Sequence, residues 1–275
     1  MTKPLIVFNW KMNPQTEAEA VELFSHVWTR VKTAKYAAVA VAPPFPFLSS
    51  IEKRWGIRDL EVRGEAPVHL AAQDAFWERE GAYTGEISPA METGLGVTYV
   101  ILGHSERRRF LGETDAMVNA KLRAALEYGL RPILCIGEEM REGNSVPELV
   151  GTQLKNAVHD IPPLLLEASL IVAYEPVWAI SSGGGGLSAD TPSDMHKTAI
   201  YIRKVLAELY GEGCAERVRV LYGGSVTAEN ASSFFTETER TVNGVLVGRA
   251  SLNIEEAGKI IGAVELAAAL ALGVS

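Results

Sequence analysis

The stretch "LIVFNWKMNPQTEAEAVELFSHVWTRV", Leu5 to Val31, has the pattern of one buried strand followed by one amphipathic helix. Its opening run "LIVF" is apolar without alternation, which is typical of a parallel strand buried on both faces. In "TEAE", Thr16 and Glu19 have the spacing of a capping box, in which each side chain satisfies an exposed backbone amide. The stretch therefore predicts one β/α unit, whose helix carries apolar residues on one face: Ala20, Leu23, Phe24, Val27 and Val31.

The same unit recurs along the chain, with helix-length segments such as Thr114 to Gly129 and roughly residues 193–210 between the apolar runs. Eight alternations predict an α/β fold with one (β/α)₈ barrel of parallel strands over residues 1–275. Two Rossmann-like domains are the alternative, which the lack of GxGxxG after the first strand disfavours. The further strand candidates are "AVAVA" from Ala38, "VHLAA" from Val68, "TYVIL" from Thr98, "PILCI" from Pro132, "LIVAY" from Leu170, "VRVLY" from Val218 and "GVLVG" from Gly244.

The composition disfavours several classes of protein. With 47% hydrophobic and 22% charged residues, the chain fits a soluble globular protein. Its net charge of −8 disfavours nucleic-acid binding, which needs a basic face. Cys135 and Cys214 lack CxxC spacing, which predicts neither a metal site nor a disulfide and fits a reducing cytoplasm.

Neither end of the sequence has the pattern of a targeting or membrane segment. "MTKPLIVFNWKMN" lacks the regions of a signal peptide. "IIGAVELAAALALGV" carries Glu265 and is shorter than the roughly 20 residues that span a bilayer. We therefore predict a packed last helix and a cytoplasmic protein with no membrane partner.

Polar residues follow the predicted strands at the point where each strand ends. In (β/α)₈ barrels the chemistry lies at the carboxyl ends of the strands, so we expect these residues to meet at one site. They are Asn9, Lys11, Gln73, Asp74, His104, Ser105, Glu106, Glu138, Glu175, Gly223, Gly224, Ser225, Gly248 and Arg249.

Glu175 and His104 are the candidate acid–base groups. Pro176 and Trp178 give Glu175 a rigid root, and glycines follow, as a general base beneath a closing lid requires. His104 precedes "SERR", a helix start whose amides disfavour an imidazolium and leave a neutral hydrogen-bond donor. Lys11 adds positive charge, and period-2 spacing points it to the same side as Asn9. Alternatively, the glutamate is solvated or ion-paired and the histidine structural.

Glycines also end the seventh and eighth predicted strands. "YGGS" occupies Tyr222 to Ser225, and "VGR" occupies Val247 to Arg249. In a barrel this is the usual place of a phosphate site made of backbone amides. Two ordinary turns are the alternative, but their joint position on neighbouring strands favours phosphate binding.

Seven motifs in order resemble the triosephosphate isomerase family over nearly the whole chain. The resemblance implies interconversion of dihydroxyacetone phosphate and glyceraldehyde 3-phosphate, with no metal or organic cofactor. It makes Glu175 the base, His104 the electrophile and proton shuttle, Lys11 the electrostatic partner and Asn9 a donor, and it places Glu106 close to Lys11. The motifs are "FNWKMN" from Phe8, "GAYTGEIS" from Gly81, "LGHSERR" from Leu102, "CIGE" from Cys135, "AYEPVWAI" from Ala173, "LYGGSV" from Leu221 and "LVGRASL" from Leu246.

The resemblance also implies roles around these groups. A lid containing Ser182 and Gly183 closes over the substrate, and Tyr222 and Ser225 hold it closed. A homodimer is implied, with Thr84 and Glu86 reaching the neighbour's active site. The phosphate is then bound by backbone amides of four residues: Ser181, Ser225, Gly248 and Arg249.

Three departures from the family pattern bear on specificity. The lid reads "AISSGGGGLSAD" where the family has "AIGTGK", so we expect a longer, more mobile lid and weaker substrate affinity. Asp74 replaces a common asparagine, and either raises a neighbouring carboxylate's pKa or pairs with a nearby cation. Arg249 replaces a frequent glycine. The alternatives are an isomerase of a four-carbon ketose phosphate and a non-catalytic phosphate-binding barrel.

Overall fold

The computed structural model describes residues 3–140, 145–179, 191–235 and 241–274. Eight parallel strands close into a barrel in which each pairs with the next along the chain and the last pairs with the first. This confirms the predicted (β/α)₈ architecture, and the doubly wound alternative is wrong. The strands are β1 Leu5–Asn9, β2 Ala38–Ala42, β3 His69–Ala72, β4 Val97–Leu102, β5 Arg131–Ile136, β6 Ile171–Tyr174, β7 Arg219–Tyr222 and β8 Gly244–Val247.

Helices of the described residues surround this barrel, and short 3₁₀ segments lie at Val177–Ala179, Ala231–Phe234 and Arg249–Leu252. The helices are α1 Glu17–Val31, α2 Phe45–Trp55, α3 Ile57–Arg63, α4 Pro89–Gly94, α5 Ser105–Leu111, α6 Asp115–Glu127, α7 Glu148–Val158, α8 Pro163–Ser169, α9 Pro192–Tyr210, α10 Glu212–Arg217 and α11 Ile254–Ala271.

The strands are continuous apolar runs because both of their faces are buried. On β1, Leu5 and Val7 belong to a core inside the barrel, whereas Ile6 and Phe8 pack in the layer between barrel and helices. The alternation of β1 thus fills two cores at once. A rigid cylinder of this kind fixes the positions of the residues that follow each strand.

The predicted start of α1 is confirmed. The Thr16 side chain accepts a hydrogen bond from the Glu19 amide, and the Glu19 side chain accepts one from the Thr16 amide. Of the predicted apolar face, all but Leu23 are buried, and Leu23 is partly buried against the core. Helix propensity and packing therefore agree in this unit.

The last helix is packed, as predicted. Within the described ranges, no helix is long and apolar enough to cross a membrane. Glu265 of α11 accepts hydrogen bonds from the backbone amides of Lys35, Tyr36 and Ala37, just before β2. The charge inside the apolar run thus joins the last helix to the loop before the second strand.

Candidate active site

A cavity of about 450 Å³ opens at the carboxyl ends of the strands. It brings together most of the polar residues that the sequence places there. Gln73, Asp74, Ser105 and Glu138 are outside its lining. The predicted site residues that line it are Asn9, Lys11, His104, Glu106, Glu175, Gly223, Gly224, Ser225, Gly248 and Arg249.

Glu175 follows β6 directly and is only 2% exposed. Its Oε1 lies 3.0 Å from Nε2 of His104, and its Oε2 accepts a hydrogen bond of 3.0 Å from the Ser105 amide. Burial raises the pKa of Glu175, but the charge and hydrogen bond of His104, the Ser105 amide and Lys11 together bring that pKa below its ordinary value. The buried side chain is therefore a carboxylate.

Two glycines, which have no side chain, allow Glu175 to pack closely against their backbones. A Cβ added to Gly137 would lie 1.8 Å from the Glu175 carbonyl oxygen, and one added to Gly223 would lie 3.0 Å from Cγ of Glu175. Gly137 is held by a hydrogen bond of 2.8 Å from its amide to Oε1 of Gln153. The role of Gly137 was missed from sequence, where it is an unremarkable member of "CIGE".

His104 caps the N-terminus of α5. Its Nδ1 accepts a hydrogen bond of 3.2 Å from the Glu106 amide, so in the neutral ring the proton lies on Nε2 and is donated to Glu175. Burial lowers the pKa of His104, yet the facing Glu175 carboxylate raises it above its ordinary value. From sequence, the helix start was expected to keep the imidazole of His104 neutral. The structure differs because the Glu175 carboxylate, which that expectation did not include, favours the protonated ring.

Lys11 and Asn9 meet through a turn and not through strand alternation. β1 ends at Asn9, and Lys11 has a left-handed backbone with φ of 55°. Asn9 Oδ1 accepts from the Lys11 amide at 3.0 Å, and Nε2 of Gln73 donates to the Lys11 carbonyl at 2.8 Å. Nζ of Lys11 lies 2.5 Å from Oε1 of Glu106, the proximity that the resemblance implied. Asn9 and Lys11 thus line the same cavity, as predicted, but the turn and not period-2 spacing brings them together.

The glycine turns after β7 and β8 form one wall of the cavity. A Cβ added to Gly248 would lie 3.3 Å from Cε of Lys11, and one added to Gly224 would lie 2.3 Å from the Tyr222 hydroxyl. Gly224 therefore requires glycine for close packing, and Gly248 leaves room for the Lys11 side chain. Arg249, whose direction the sequence left open, is exposed and lines the cavity.

The root of the predicted lid is firmly held. Oε1 of the buried Glu138 accepts from the Tyr174 hydroxyl at 2.7 Å and from Nε1 of Trp178 at 3.0 Å. The Ser225 hydroxyl donates to the Ala179 carbonyl at 2.8 Å, and the ring of Tyr222 is buried. Ser181, Ser182 and Gly183, predicted for the phosphate and the lid, lie outside the described residues.

Asp74 belongs to a buried ionic cluster beside the cavity. It pairs with Lys121 at 2.7 Å and with Arg107 at 2.7 Å. Glu113 also pairs with both cations. Lys121 lies among the buried apolar residues of α6 and is only 2% exposed. The carboxylate partners on other elements explain how its charge is buried there.

Glu92 of α4 completes this cluster as a fully buried carboxyl group. Neither of its oxygens has a hydrogen-bond partner among the described residues. Burial, followed by the charge of Asp74, raises the pKa of Glu92 to about 9. Asp74 therefore does both things proposed for it, since it pairs with cations and raises the pKa of a neighbouring carboxyl group.

Thr84 and Glu86 lie on an exposed loop between β3 and α4. The loop is closed by a hydrogen bond of 2.8 Å from the Phe76 amide to the Ile87 carbonyl, and the ring of Phe76 packs on that of Tyr83. Tyr83 remains 44% exposed. Both predicted contact residues are thus available at the surface of this chain.

Cys135 lies beneath Glu175, where burial and the nearby carboxylate raise the pKa of its thiol well above the ordinary value.

In the part of the chain that the structure describes, no group of His, Cys, Asp or Glu side chains is arranged to hold a metal ion.

Comparison with known proteins gives one family. A family model described as "Triosephosphate isomerase" matches residues 4–264. The relative of that name from Caldanaerobacter subterraneus subsp. tengcongensis is 43% identical over 263 residues, which are 95% of this chain and 99% of the relative. Those from Chloroflexus aurantiacus and Trichlorobacter lovleyi are 40% and 39% identical over 95% of this chain, and over 99% and 98% of their own lengths.

Proposed function

We propose a proton-transfer mechanism for this chain, which belongs to the triosephosphate isomerase family and is an isomerase of that kind. In the proposed reaction, dihydroxyacetone phosphate and D-glyceraldehyde 3-phosphate interconvert through an enediolate, as a step of glycolysis and gluconeogenesis. The observation that carries the proposal is the buried Glu175 carboxylate, 3.0 Å from Nε2 of His104 in one cavity with Lys11.

Glu175 is proposed to remove a proton from one carbon and return it to the next. Both of its oxygens are held by His104 and the Ser105 amide, so the carboxylate must leave these donors to reach substrate. Losing donors that lower its pKa makes the carboxylate a stronger base. Glu175 is therefore a weak base while these donors hold it, and it becomes a stronger base when it moves to the substrate.

His104 is proposed to donate from Nε2 to the developing oxyanion and to move a proton between the two substrate oxygens. The Glu106 amide, which donates to Nδ1, fixes the tautomer that this role needs. Lys11 and Asn9 add positive charge and a hydrogen-bond donor beside the same oxyanion. Glu106 holds the Lys11 ammonium group in place.

The substrate phosphate is assigned to the glycine wall. Ser225, Gly248 and Arg249 line the cavity, and Gly248 lies beside the Lys11 side chain. Their backbone amides are proposed to bind the dianion. The Ser181 amide is proposed as a further donor. Closure of the lid, with Ser182 and Gly183, would exclude water from the enediolate, with Ser225 and Tyr222 holding it closed.

We also propose that the chain works as a homodimer in the cytoplasm, as a single domain and without a cofactor. The exposed loop that carries Thr84 and Glu86, with Tyr83 at the surface, supports the dimer. Light scattering at working concentration tests it, and a monomeric, active protein would contradict it.

The test of the reaction is a coupled assay of glyceraldehyde 3-phosphate turnover with wild type and Glu175→Asp. Shortening the side chain withdraws the carboxylate by about 1 Å, so we expect kcat to fall by about 10²-fold or more. Glu208→Asp, at an exposed position on α9, is the matched control. A folded wild type that turns over four-carbon ketose phosphates with the higher kcat/KM would overturn the triose assignment.

A further inference from the structure

The opposite end of the barrel contains a second cavity, of about 270 Å³. It lies where β5, β6 and β7 begin, so the barrel's interior core separates it from the active site. We call it the barrel-floor cavity. Its polar lining consists of Tyr99, Arg131, Glu167, Ser169, Arg217 and Arg219.

Strand alternation directs two arginines into this cavity. Ile133 of β5 and Leu221 of β7 belong to the core inside the barrel. Arg131 and Arg219 lie two residues before them, at the first positions of the same strands, and therefore face the same interior side. Both line the cavity, and the Arg131 guanidinium carbon lies 5.9 Å from the ring centroid of Tyr99.

These two arginines have no counter-charge within the described residues. Arg217 is paired with Glu167 at 2.5 Å, which uses the cavity's acidic side chain. Neither Arg131 nor Arg219 forms an ion pair or a side-chain hydrogen bond there. Arg219 is half-buried, whereas Arg131 is exposed at the start of its strand. A half-buried guanidinium group normally has a partner, and this protein carries an overall charge of −8. Two unpaired positive charges in one pocket are therefore unusual.

The arginines also repel each other. Burial lowers the pKa of Arg219, Tyr99 partly offsets this effect, and the charge of Arg131 lowers the pKa further. α8 and α10 end beside the cavity and direct partial negative charge toward it, but no described carbonyl accepts a hydrogen bond from either guanidinium group. An anion held between the two side chains would satisfy donors that the protein itself leaves unused.

We propose that the barrel-floor cavity binds a small, multiply charged oxyanion, separate from the substrate site. Guanidinium forks bind phosphate and carboxylate oxygens in pairs, which makes Arg131 and Arg219 the binding residues. The hydroxyl groups of Ser169 and Tyr99 line the same space. Phosphate and carboxylate anions share this chemistry, and the two are separated by comparing pyrophosphate with citrate.

The test is isothermal titration calorimetry with pyrophosphate at low ionic strength. Arg219→Gln is expected to weaken one binding event by at least about tenfold, since it removes charge-assisted hydrogen bonds. Arg219→Lys keeps the charge but not the forked guanidinium group. Its affinity for pyrophosphate is expected to lie between those of wild type and Arg219→Gln. Arg249→Gln, at the active-site end, is the control that leaves this event intact.

Citrate titrated in the same way identifies the chemical class of the ligand. Tighter citrate binding that depends on Arg219 indicates a carboxylate ligand, and tighter pyrophosphate binding indicates a phosphate ligand. KM for the triose substrate should not change in Arg219→Gln. The calorimetric result for the barrel-floor cavity therefore does not depend on whether the protein turns over the triose phosphate.

A purely structural role for Arg219 predicts that Arg219→Gln lowers Tm. The proposal predicts that, without ligand, Arg219→Gln keeps or raises Tm, because it removes repulsion with Arg131. Pyrophosphate binding that is unchanged in Arg219→Gln, or that is lost only in Arg249→Gln, would overturn the proposal.

Discussion

Glu175 and Glu92 are both buried carboxyl groups, yet their surroundings have opposite effects on their charge. Glu175 faces His104 and the Ser105 amide, which hold its pKa below the ordinary value. Glu92 has no hydrogen-bond partner among the described residues, and its pKa is raised to about 9. Burial alone therefore does not decide ionisation, since nearby donors and cations reverse it.

The largest expected effect separates the two residues by function. Glu175→Gln removes the proposed base without removing bulk, so kcat should fall by about 10²- to 10⁴-fold. Glu92→Gln, an equally isosteric change in a group outside the cavity, should leave kcat within a few-fold of wild type. Steady-state kinetics on both variants, with circular dichroism to confirm folding, makes the comparison. Equal losses in the two variants would contradict it.

The next effect is on the pH dependence of stability. The pKa of Glu92 rises from its ordinary 4.5 to about 9 on folding, so the folded state keeps a proton that the unfolded state releases. Its contribution to stability is therefore full below about pH 4.5 and is lost as pH rises toward about 9. Glu92→Leu should gain up to about 1.4 kcal/mol over wild type per pH unit in this window.

Urea unfolding at several pH values measures this gain. Glu208→Leu, at an exposed position of α9, serves as the control and should give a difference independent of pH. A difference between Glu92→Leu and wild type that stays constant from pH 5 to pH 9 would show that Glu92 is ionised in the folded state.

A smaller effect tests the link between Asp74 and Glu92. Asp74→Asn keeps the shape of the side chain but removes a negative charge, so the pKa of Glu92 should fall and the loss of stability should begin to level off at lower pH. Weaker bonds to Lys121 and Arg107 should cost about 1–3 kcal/mol. The same unfolding series checks both results. An unchanged pH profile would assign the shift of Glu92 to burial alone.

The smallest effect concerns a third buried carboxyl group, Glu138, which has two side-chain donors. Trp178→Phe removes the donor at 3.0 Å and leaves the Tyr174 hydroxyl in place. We expect the free energy of unfolding to fall by about 1 kcal/mol. Trp77→Phe is the control, since no carboxylate among the described residues accepts a hydrogen bond from its indole. Equal losses in both variants would show that aromatic packing, not the hydrogen bond, explains the cost.

Sequence predicts those parts of the molecule that local patterns encode. The eight strands, the Thr16 cap and the polar residues after the strands were predicted because alternation, capping spacing and strand ends are read within a few residues. Lys11 shows the limit of such patterns. Its position depends on a left-handed turn and on Gln73, which lies on another strand's end.

Buried polar groups could not be predicted in the same way. Lys121 has the periodicity of an apolar residue, and only Asp74 and Glu113, from elsewhere in the chain, explain its burial. Glu92 likewise has no local signal that distinguishes it from an exposed helical glutamate. Arg131 and Arg219 are first residues of strands, and their convergence exists only once the barrel closes.

The contact of Glu265 with Lys35, Tyr36 and Ala37 has a consequence for hydrogen exchange. Three consecutive amides depend on one carboxylate that belongs to the last helix. If that helix detaches while the strands remain paired, these amides lose protection together, without global unfolding. Their deuterium uptake is therefore a local reporter of the cooperativity between the outer layer and the barrel.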